Sequence, residues 1–191
     1  MSGDLFAAKK AARLAAAKKR ESAHARLKET AGLDLAARGL PAGLRSGVIS
    51  GFHPYLSEIS TLELLHRLAS EGWVTALPVV VGKNEPLIFR RWSPGEVLVS
   101  GLWGIQIPVD TAPEVSPDVL LVPMLAYDAR GYRLGYGGGF YDRTLAKLRA
   151  LKKITAIGVA YSGQEVEEVP HDEHDQPLDW IMTERETIKC G

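Results

Sequence analysis

Apolar residues along the 191-residue chain alternate between helical and extended spacing. Residues 4–29 are rich in Ala, Lys, Arg and Leu and contain no Gly or Pro, which predicts one long helix. The glycines and the proline of residues 32–43 are predicted to break it. A capping-box pattern at residues 60–63, with apolar positions on one face behind it, predicts a second helix to about residue 71.

The remaining apolar runs are shorter and are predicted to be strands. They lie at residues 48–52, 73–81, 87–89, 118–123 and 154–160, with a short last strand near 180–182. The fully apolar runs among them suit strands buried on both faces of a parallel sheet. With a helix predicted over residues 141–151, strands and helices alternate, which indicates an α/β fold with a largely parallel sheet. No repeat or linker divides the chain, so we expect a single domain over residues 1–191.

Charge balance narrows the possible functions. Lys plus Arg equals Asp plus Glu, so the net charge gives no general reason to expect nucleic acid as a partner. Within that balance, residues 1–30 hold eight basic and three acidic residues, a net charge of +5, and the rest of the chain carries −5. This segment has three possible interpretations: a basic arm that covers an acidic body, a helix that binds phosphate, or a transit peptide.

Cysteine content and hydropathy bear on the compartment. Cys190 is the single cysteine, so no disulfide can form within the chain, which fits a reducing environment. No stretch has the length of a transmembrane helix, and the N-terminus lacks the apolar core of a secretory signal. We therefore expect a cytoplasmic protein without a membrane partner, acting as a monomer or weak homodimer.

The strongest chemical signal is a glycine-rich run between a strand and a helix. Four of residues 135–139 are glycine, and the helix is predicted to begin near Phe140. Glycines let the backbone approach a ligand closely, and N–H groups at a helix start attract anions. No Gly-Lys-Ser/Thr follows, and Phe140 stands where a dinucleotide fingerprint has its last glycine, so neither standard motif is present. A tight turn without a ligand is the alternative.

Charged residues around this run suit a phosphate tail with its metal. Arg133 and Arg143 can grip phosphate through forked guanidinium groups, although surface ion pairs would also explain them. Asp142 can hold Mg²⁺ or simply favour the helix N-terminus. An acidic residue of the segment 171–175 would be a second Mg²⁺ contact, whereas a zinc site lacks further ligands. The sequence contains no nucleophile motif.

Residues 121–143 closely resemble the signature of the 5-formyltetrahydrofolate cyclo-ligases, also called methenyltetrahydrofolate synthetases. Weaker counterparts extend the resemblance over nearly the whole chain: Lys9 with Arg13, Glu58, residues 103–108, and His174 with Asp175. The sequence departs from the family at Ile107, where Glu or Gln is usual, and at Phe140, where Tyr is common. The resemblance implies a three-layer α/β/α fold like that of the NagB/RpiA/CoA-transferase group.

The resemblance also implies an enzyme that closes 5-formyltetrahydrofolate to 5,10-methenyltetrahydrofolate, with Mg²⁺ and with ATP as co-substrate. Phosphorylation of the formyl oxygen would make it a leaving group, so the protein mainly supplies positioning and charge neutralisation. Arg133 and Tyr141 would be catalytic, and Asp142 and Asp175 would hold the metal. The ATP-binding residues would be Lys9, Arg13, Arg133, Leu134, Gly135, Tyr136, Gly137, Gly138, Gly139, Phe140 and Tyr141. The substrate-binding residues would be Phe52, His53, Glu58, Trp103 and Tyr136.

Three other functions are compatible with parts of the sequence. They are a related enzyme that activates another small molecule, a non-catalytic folate or nucleotide sensor, and an RNA-associated protein. The presence of Asp142 and Asp175 argues against the sensor, and the neutral charge without a stacking motif argues against RNA. Because Lys9 and Arg13 share one helix face, we expect the N-terminal helix to belong to the active site and not to a cleaved targeting segment.

Overall fold

An eight-stranded sheet forms the middle layer of the protein in a computed structural model that describes residues 3–191. The helices are α1 (Gly3–Leu27), α2 (Thr30–Arg38), α3 (Leu62–Ser70) and α4 (Phe140–Leu151). The strands are β1 (Val48–Ser50), β2 (Val74–Val79), β3 (Ile88–Arg91), β4 (Leu98–Ser100), β5 (Gln106–Pro108), β6 (Glu114–Val115), β7 (Val119–Pro123), β8 (Ala126–Tyr127), β9 (Arg133–Leu134), β10 (Thr155–Val159), β11 (Trp180–Met182) and β12 (Thr187–Lys189). Two short 3-10 helices lie at Leu102–Gly104 and Ser162–Gln164.

The order of strands in the large sheet is β12-β11-β10-β7-β1-β2-β3-β6, and β4–β5 and β8–β9 form separate hairpins. The five strands from β11 to β2 are parallel, while β12, β3 and β6 pair antiparallel at the edges. The chain passes from β1 to β2 in one direction, and from β7 to β10 and β11 in the other. Winding therefore reverses between β1 and β7, and the crevice beyond the carboxyl ends of such strands is where open α/β sheets bind ligands.

The side chains of β7 show how the layers are built. Val119 and Leu121 pack with α2 and α3 on one face of the sheet, while Leu120 and Val122 pack with α4 on the other. Each of the four is at most 3% exposed, so the strand is buried on both sides, as its continuous apolar run predicts. The protein thus has a three-layer α/β/α fold with a largely parallel sheet, and the predicted fold class is confirmed.

The prediction was wrong at residues 32–43, where a break was expected. Most of this segment is α2, whose apolar face buries Leu35 completely. The chain turns at Lys28, which has φ 45° and precedes this segment, and again at Gly39, which has φ 75° and ends α2. Burial of an amphipathic face outweighs the cost of Gly32 within the helix. The short strands β4 to β6, β8, β9 and β12 were also missed, because two or three residues carry too little periodicity to be recognised.

The N-terminal helix α1 lies against the rest of the protein. Ala16 is buried in an apolar cluster with Leu125 and Leu134, and Ala23 is buried in the core beside Tyr161. These small side chains let the helix approach closely, while most of its Lys residues face solvent. Of the helices within residues 3–191, none combines the length and apolar character needed to cross a membrane.

Candidate active site

The loops that follow β1 and β7 meet at one edge of the sheet. The first loop carries Glu58, and the second leads through the β8–β9 hairpin into residues 135–139 and then α4. Because β1 and β7 are parallel neighbours, both loops leave the sheet at its carboxyl edge, where the winding reverses. The helix α1 lies over both loops, since Arg20 approaches Glu58 and Arg13 bonds to Gly135.

The glycine run directs its carbonyl groups toward two arginines. Arg13 Nε donates to the oxygen of Gly135 at 3.0 Å, and Arg143 Nη2 donates to that of Gly138 at 2.7 Å. The backbone N–H groups of residues 136–139 donate to no acceptor within residues 3–191. A loop that offers free N–H donors between two cations has the character of an anion site.

Gly135, Gly137 and Gly139 are glycine for different physical reasons. Gly137 and Gly139 have φ of 100° and 66°, which favours glycine for the backbone alone. Gly135 is not left-handed, and a Cβ built on it meets no atom within 4 Å. Neither its own conformation nor a described neighbour demands glycine there, so close approach of a ligand is the physical reason that fits.

Two carboxylates beside the loop are each held by a cation. Asp142 Oδ1 accepts hydrogen bonds from Arg133 Nη2 at 2.7 Å and from the N–H of Gln176 at 3.0 Å. Asp175 Oδ2 accepts one from Lys9 Nζ at 2.5 Å and another from a backbone N–H of its own turn. The second oxygen of each carboxylate forms no hydrogen bond to a described residue. One oxygen of each is therefore free to bind a metal ion.

Lys9 and Arg133 are both engaged in ion pairs in this structure. Burial lowers the pKa of Lys9, but hydrogen bonds to Asp175 and Asp172 raise it by more, so its positive charge is secure. Burial lowers the pKa of Arg133 and Asp142 opposes that shift. Among the described residues, no three His, Cys, Asp or Glu side chains lie close enough together to hold a metal ion. Magnesium, which often takes one or two carboxylates and completes its shell with phosphate and water, fits such a site better than zinc.

Glu58 lies on the α1 side of the site and is 7% exposed. Its Oε2 accepts the N–H of Tyr55 at 2.8 Å, and Arg20 Nη1 lies 3.7 Å from its Oε1. Burial raises the pKa of Glu58 to about 7, although the Tyr55 N–H, Arg20 and the nearby Tyr136 hydroxyl lower it. A buried carboxyl group whose pKa is raised toward neutrality, beside an arginine and the glycine run, is a candidate functional residue.

Aromatic side chains occupy the space between these charged groups. Tyr136 meets Tyr55 edge-on at 5.9 Å between ring centroids, and Trp103 meets Phe140 edge-on at 6.1 Å. Trp103 is 58% exposed and has φ 58°, a strained conformation that is often found at functional sites. The Tyr141 hydroxyl is buried without a hydrogen-bond partner in the described part of the chain, and burial raises its pKa.

Most of the residues predicted for the site do lie around this crevice, with one exception. Phe52 is 3% exposed and packs in the core, and its peptide is bonded to Thr61 Oγ1, so its ring does not form an open wall. His53 is half-buried in the same loop. The prediction missed Tyr55, whose contribution is a backbone N–H, and Arg20, which stood among eight basic residues. The seven-residue spacing from Arg13 could have identified Arg20, since it returns to the same helix face.

Comparisons with known proteins agree with this geometry. The sequence model of the 5-formyltetrahydrofolate cyclo-ligase family matches residues 7–184. A 5-formyltetrahydrofolate cyclo-ligase of Haemophilus influenzae is 36% identical over 135 residues, which cover 68% of this chain and 72% of that protein. One of Mycolicibacterium smegmatis is 34% identical over 165 residues, covering 80% and 82%.

A solved structure gives the same result. The NMR structure of Aquifex aeolicus 5,10-methenyltetrahydrofolate synthetase has a TM-score of 0.75 and 28% identity, and the match covers 95% of this chain and 92% of that one. The two proteins therefore share one fold over nearly the full length of both chains. The chain belongs to the 5-formyltetrahydrofolate cyclo-ligase family of enzymes.

Proposed function

We propose that the protein catalyses the ATP- and Mg²⁺-dependent cyclisation of 5-formyltetrahydrofolate to 5,10-methenyltetrahydrofolate, with release of ADP and phosphate. Family membership supports the overall ring closure. The observation that carries the nucleotide step is the glycine run, where free N–H donors lie between Arg13 and Arg143. Such a loop suits a triphosphate, which brings several negative oxygens to one place.

Lys9, Arg13 and Arg133 would supply positive charge for the triphosphate. Lys9 and Arg13 belong to α1 and Arg133 to β9, and their bonds to Asp175, Gly135 and Asp142 hold them near the glycine run. Asp142 and Asp175 would hold Mg²⁺ through the oxygens that they do not use for their own ion pairs. The metal would supply neutralisation of phosphate charge.

The chemistry that these residues would serve is activation of a poor leaving group. Transfer of the γ-phosphoryl group from ATP to the formyl oxygen would release ADP and make a phosphate ester. The neighbouring folate amine would then attack the formyl carbon and lose its proton, and phosphate would depart with that oxygen. Arg133, whose side chain is 4% exposed, would stabilise the charge that develops during transfer. The unpaired hydroxyl of Tyr141 would donate a hydrogen bond to the transferring group or to the formyl oxygen.

The folate itself would lie on the Glu58 side of the crevice. The carboxylate would accept hydrogen bonds from the amino group and ring N–H of the pterin. Tyr136, which is 46% exposed, and Trp103 would flank the flat ring and its linker. Phe52 would support this wall from the core behind it.

A direct assay tests the proposal. Purified protein is incubated with 5-formyltetrahydrofolate and MgATP, and the methenyl chromophore is followed by absorbance. We expect the chromophore only when ATP and a divalent cation are present together, because the loop binds phosphate and the carboxylates bind metal. Full turnover after exhaustive chelation would contradict the metal requirement, and absence of the chromophore under all conditions would refute the activity.

Substitution of Gly135 by alanine tests the phosphate loop. The added Cβ meets no protein atom within 4 Å, so the thermal unfolding transition should stay in place. If the backbone approaches phosphate there, the Cβ enters that space, and we expect the KM for ATP to rise about tenfold or more through loss of one or more charge-assisted hydrogen bonds. The control is Gly163→Ala, whose Cβ is equally unobstructed, in the 3-10 helix Ser162–Gln164. Unchanged ATP kinetics in Gly135→Ala would show that the cradle lies elsewhere.

We expect residues 1–191 to act as one catalytic domain on small molecules, in the cytoplasm, as a monomer or weak homodimer. Contacts of Lys9, Arg13 and Arg20 with the two site loops and the C-terminal segment support inclusion of α1 in that domain. A cleaved targeting segment would have no need of such contacts.

A further inference from the structure

Arg20 is almost fully buried, yet one of its donor groups forms no hydrogen bond with the part of the chain that the structure describes. The side chain comes from α1, and the residue is 2% exposed. Nε donates to Ser57 Oγ at 3.0 Å, whereas Nη1 is buried and forms no hydrogen bond with any residue of the described chain. A buried charged donor without an acceptor is costly, so its retention calls for a physical reason.

The surroundings of Nη1 are those of the proposed pterin site. Nη1 lies 3.7 Å from Glu58 Oε1, which is too far for a hydrogen bond. Glu58 Oε1 likewise accepts no well-formed hydrogen bond from a described residue, although the Tyr136 hydroxyl is near enough to Glu58 to lower its pKa. The centre of the Tyr136 ring lies 5.2 Å from the guanidinium carbon. An unused donor and an unused acceptor therefore stand side by side beneath an aromatic residue of the glycine run.

This pair of groups matches one chemical feature, a lactam edge, in which a ring N–H stands next to a carbonyl. We propose that Arg20 is a specificity-determining residue that donates from Nη1 to the ring carbonyl of the substrate, while Glu58 accepts from the adjacent ring N–H. The inference rests on the proposed function, because the 2-amino-4-oxo ring of a folate supplies that edge. Ser57 fixes the guanidinium through Nε, which leaves Nη1 directed at the ligand position.

Entry of the ring requires a small rearrangement. Nη1 is covered in this structure, and Tyr136 lies over the guanidinium group. Tyr136 is 46% exposed and is followed by three glycines, so its ring can move aside at little cost. Once the ring is bound, a carbonyl oxygen would satisfy Arg20, and an amino group at the same position would place a donor against a donor. Sites built on such buried polar groups reject mismatched analogues strongly.

The test compares 5-formyltetrahydrofolate with its 4-amino-4-deoxy counterpart, in which an amino group replaces the ring carbonyl and the adjacent ring nitrogen carries no hydrogen. Their Kd values are measured by calorimetry for the full-length wild type and for Arg20→Met, which removes the donors and keeps an extended apolar side chain. The matched control is Lys19→Met, a substitution at the exposed neighbour on the same helix. Thermal unfolding of all three proteins shows whether the fold is kept.

We expect Arg20→Met to bind the 4-oxo ligand about tenfold or more weakly, as loss of a charged hydrogen bond implies, and to bind the 4-amino ligand as well as before or better. The Kd for the 4-amino ligand divided by the Kd for the 4-oxo ligand thus falls about tenfold in Arg20→Met. The same ratio keeps its wild-type value in Lys19→Met. Equal losses for both ligands would overturn the inference and leave Arg20 only the task of holding the loop of Ser57 and Glu58.

A second variant covers the case in which Arg20→Met does not fold. Arg20→Gln keeps an N–H donor without the charge. Its ratio of the two Kd values is expected to lie between the wild-type value and a value about tenfold lower. An unchanged ratio in a folded Arg20→Gln protein, with both affinities reduced equally, would overturn the inference as well. Failure of the proposed function would give a different result, since the wild type and Lys19→Met would then bind neither ligand. In that case both proposals would be wrong.

Discussion

Replacement of Arg133 by methionine is expected to lower kcat by about 10³-fold or more, as loss of an arginine at a transferring phosphoryl group does. The guanidinium is held between Asp142 and the carbonyl of Gln176, so its charge is fixed beside the glycine run before any ligand arrives. A charge that needs no reorganisation during the reaction stabilises a transition state most effectively. Methionine keeps much of the length of the side chain and removes that charge.

Loss of stability must be separated from loss of catalysis in this variant. Asp142 would lose its cation, but its side chain is 27% exposed and water would compensate in part. Arg149→Met is the matched control, because Arg149 binds the carbonyl of Pro177 and pairs with Asp179 in the segment next to Gln176. Single-turnover assays below the unfolding transitions of both variants compare the chemical step alone. If Arg133→Met kept wild-type kcat, the arginine would have only a structural role.

Local signals explain why much of this fold could be predicted. The fully apolar run at β7 indicated burial on both faces, and the structure shows its residues alternating between two cores. The glycine run indicated a turn between a strand and a helix, which the structure places between β9 and α4. In both cases the information lies within a few consecutive residues and is independent of distant partners.

Partners that are distant in sequence could not be predicted in the same way. Lys9 was expected at phosphate, and in the structure it pairs with Asp175, which had been assigned to the metal. Asp142 and Asp175 were assigned to one metal only through the family resemblance, since no local pattern pairs them. The fold brings them near each other, because the N–H of Gln176, next to Asp175, donates to Asp142. Phe52 follows a strand that leads into the site, but no pattern indicates that its ring faces the core. Side-chain pairing of this kind depends on tertiary geometry, which hydrophobic periodicity does not encode.

The affinity for 5-formyltetrahydrofolate is expected to increase about tenfold between pH 6 and pH 8, as titration of one group near pH 7 requires. Burial raises the pKa of Glu58 to about 7, so below that value the side chain is a protonated acid. The O–H of the acid then faces the N–H donors of the pterin ring. Above pH 7 the carboxylate accepts hydrogen bonds from those N–H groups. Of the hydroxyl groups that face it, burial raises the pKa of Tyr136 to about 12 and that of Tyr141 further, so neither titrates in this range.

Glu58→Gln is expected to remove this pH dependence and to weaken folate binding about tenfold or more at pH 8, because an amide accepts fewer hydrogen bonds and presents a donor to a donor. The affinity for MgATP should change little in the same variant, since Lys9 and Asp175 pair with each other and Glu58 bonds instead to Tyr55 and lies beside Arg20. The matched control is Glu184→Gln, at a buried glutamate whose hydrogen bonds go to Ser162. We expect it to keep the wild-type increase between pH 6 and pH 8. Persistence of that increase in Glu58→Gln would assign the titration to another group, and equal losses for folate and MgATP would assign Glu58 a structural role.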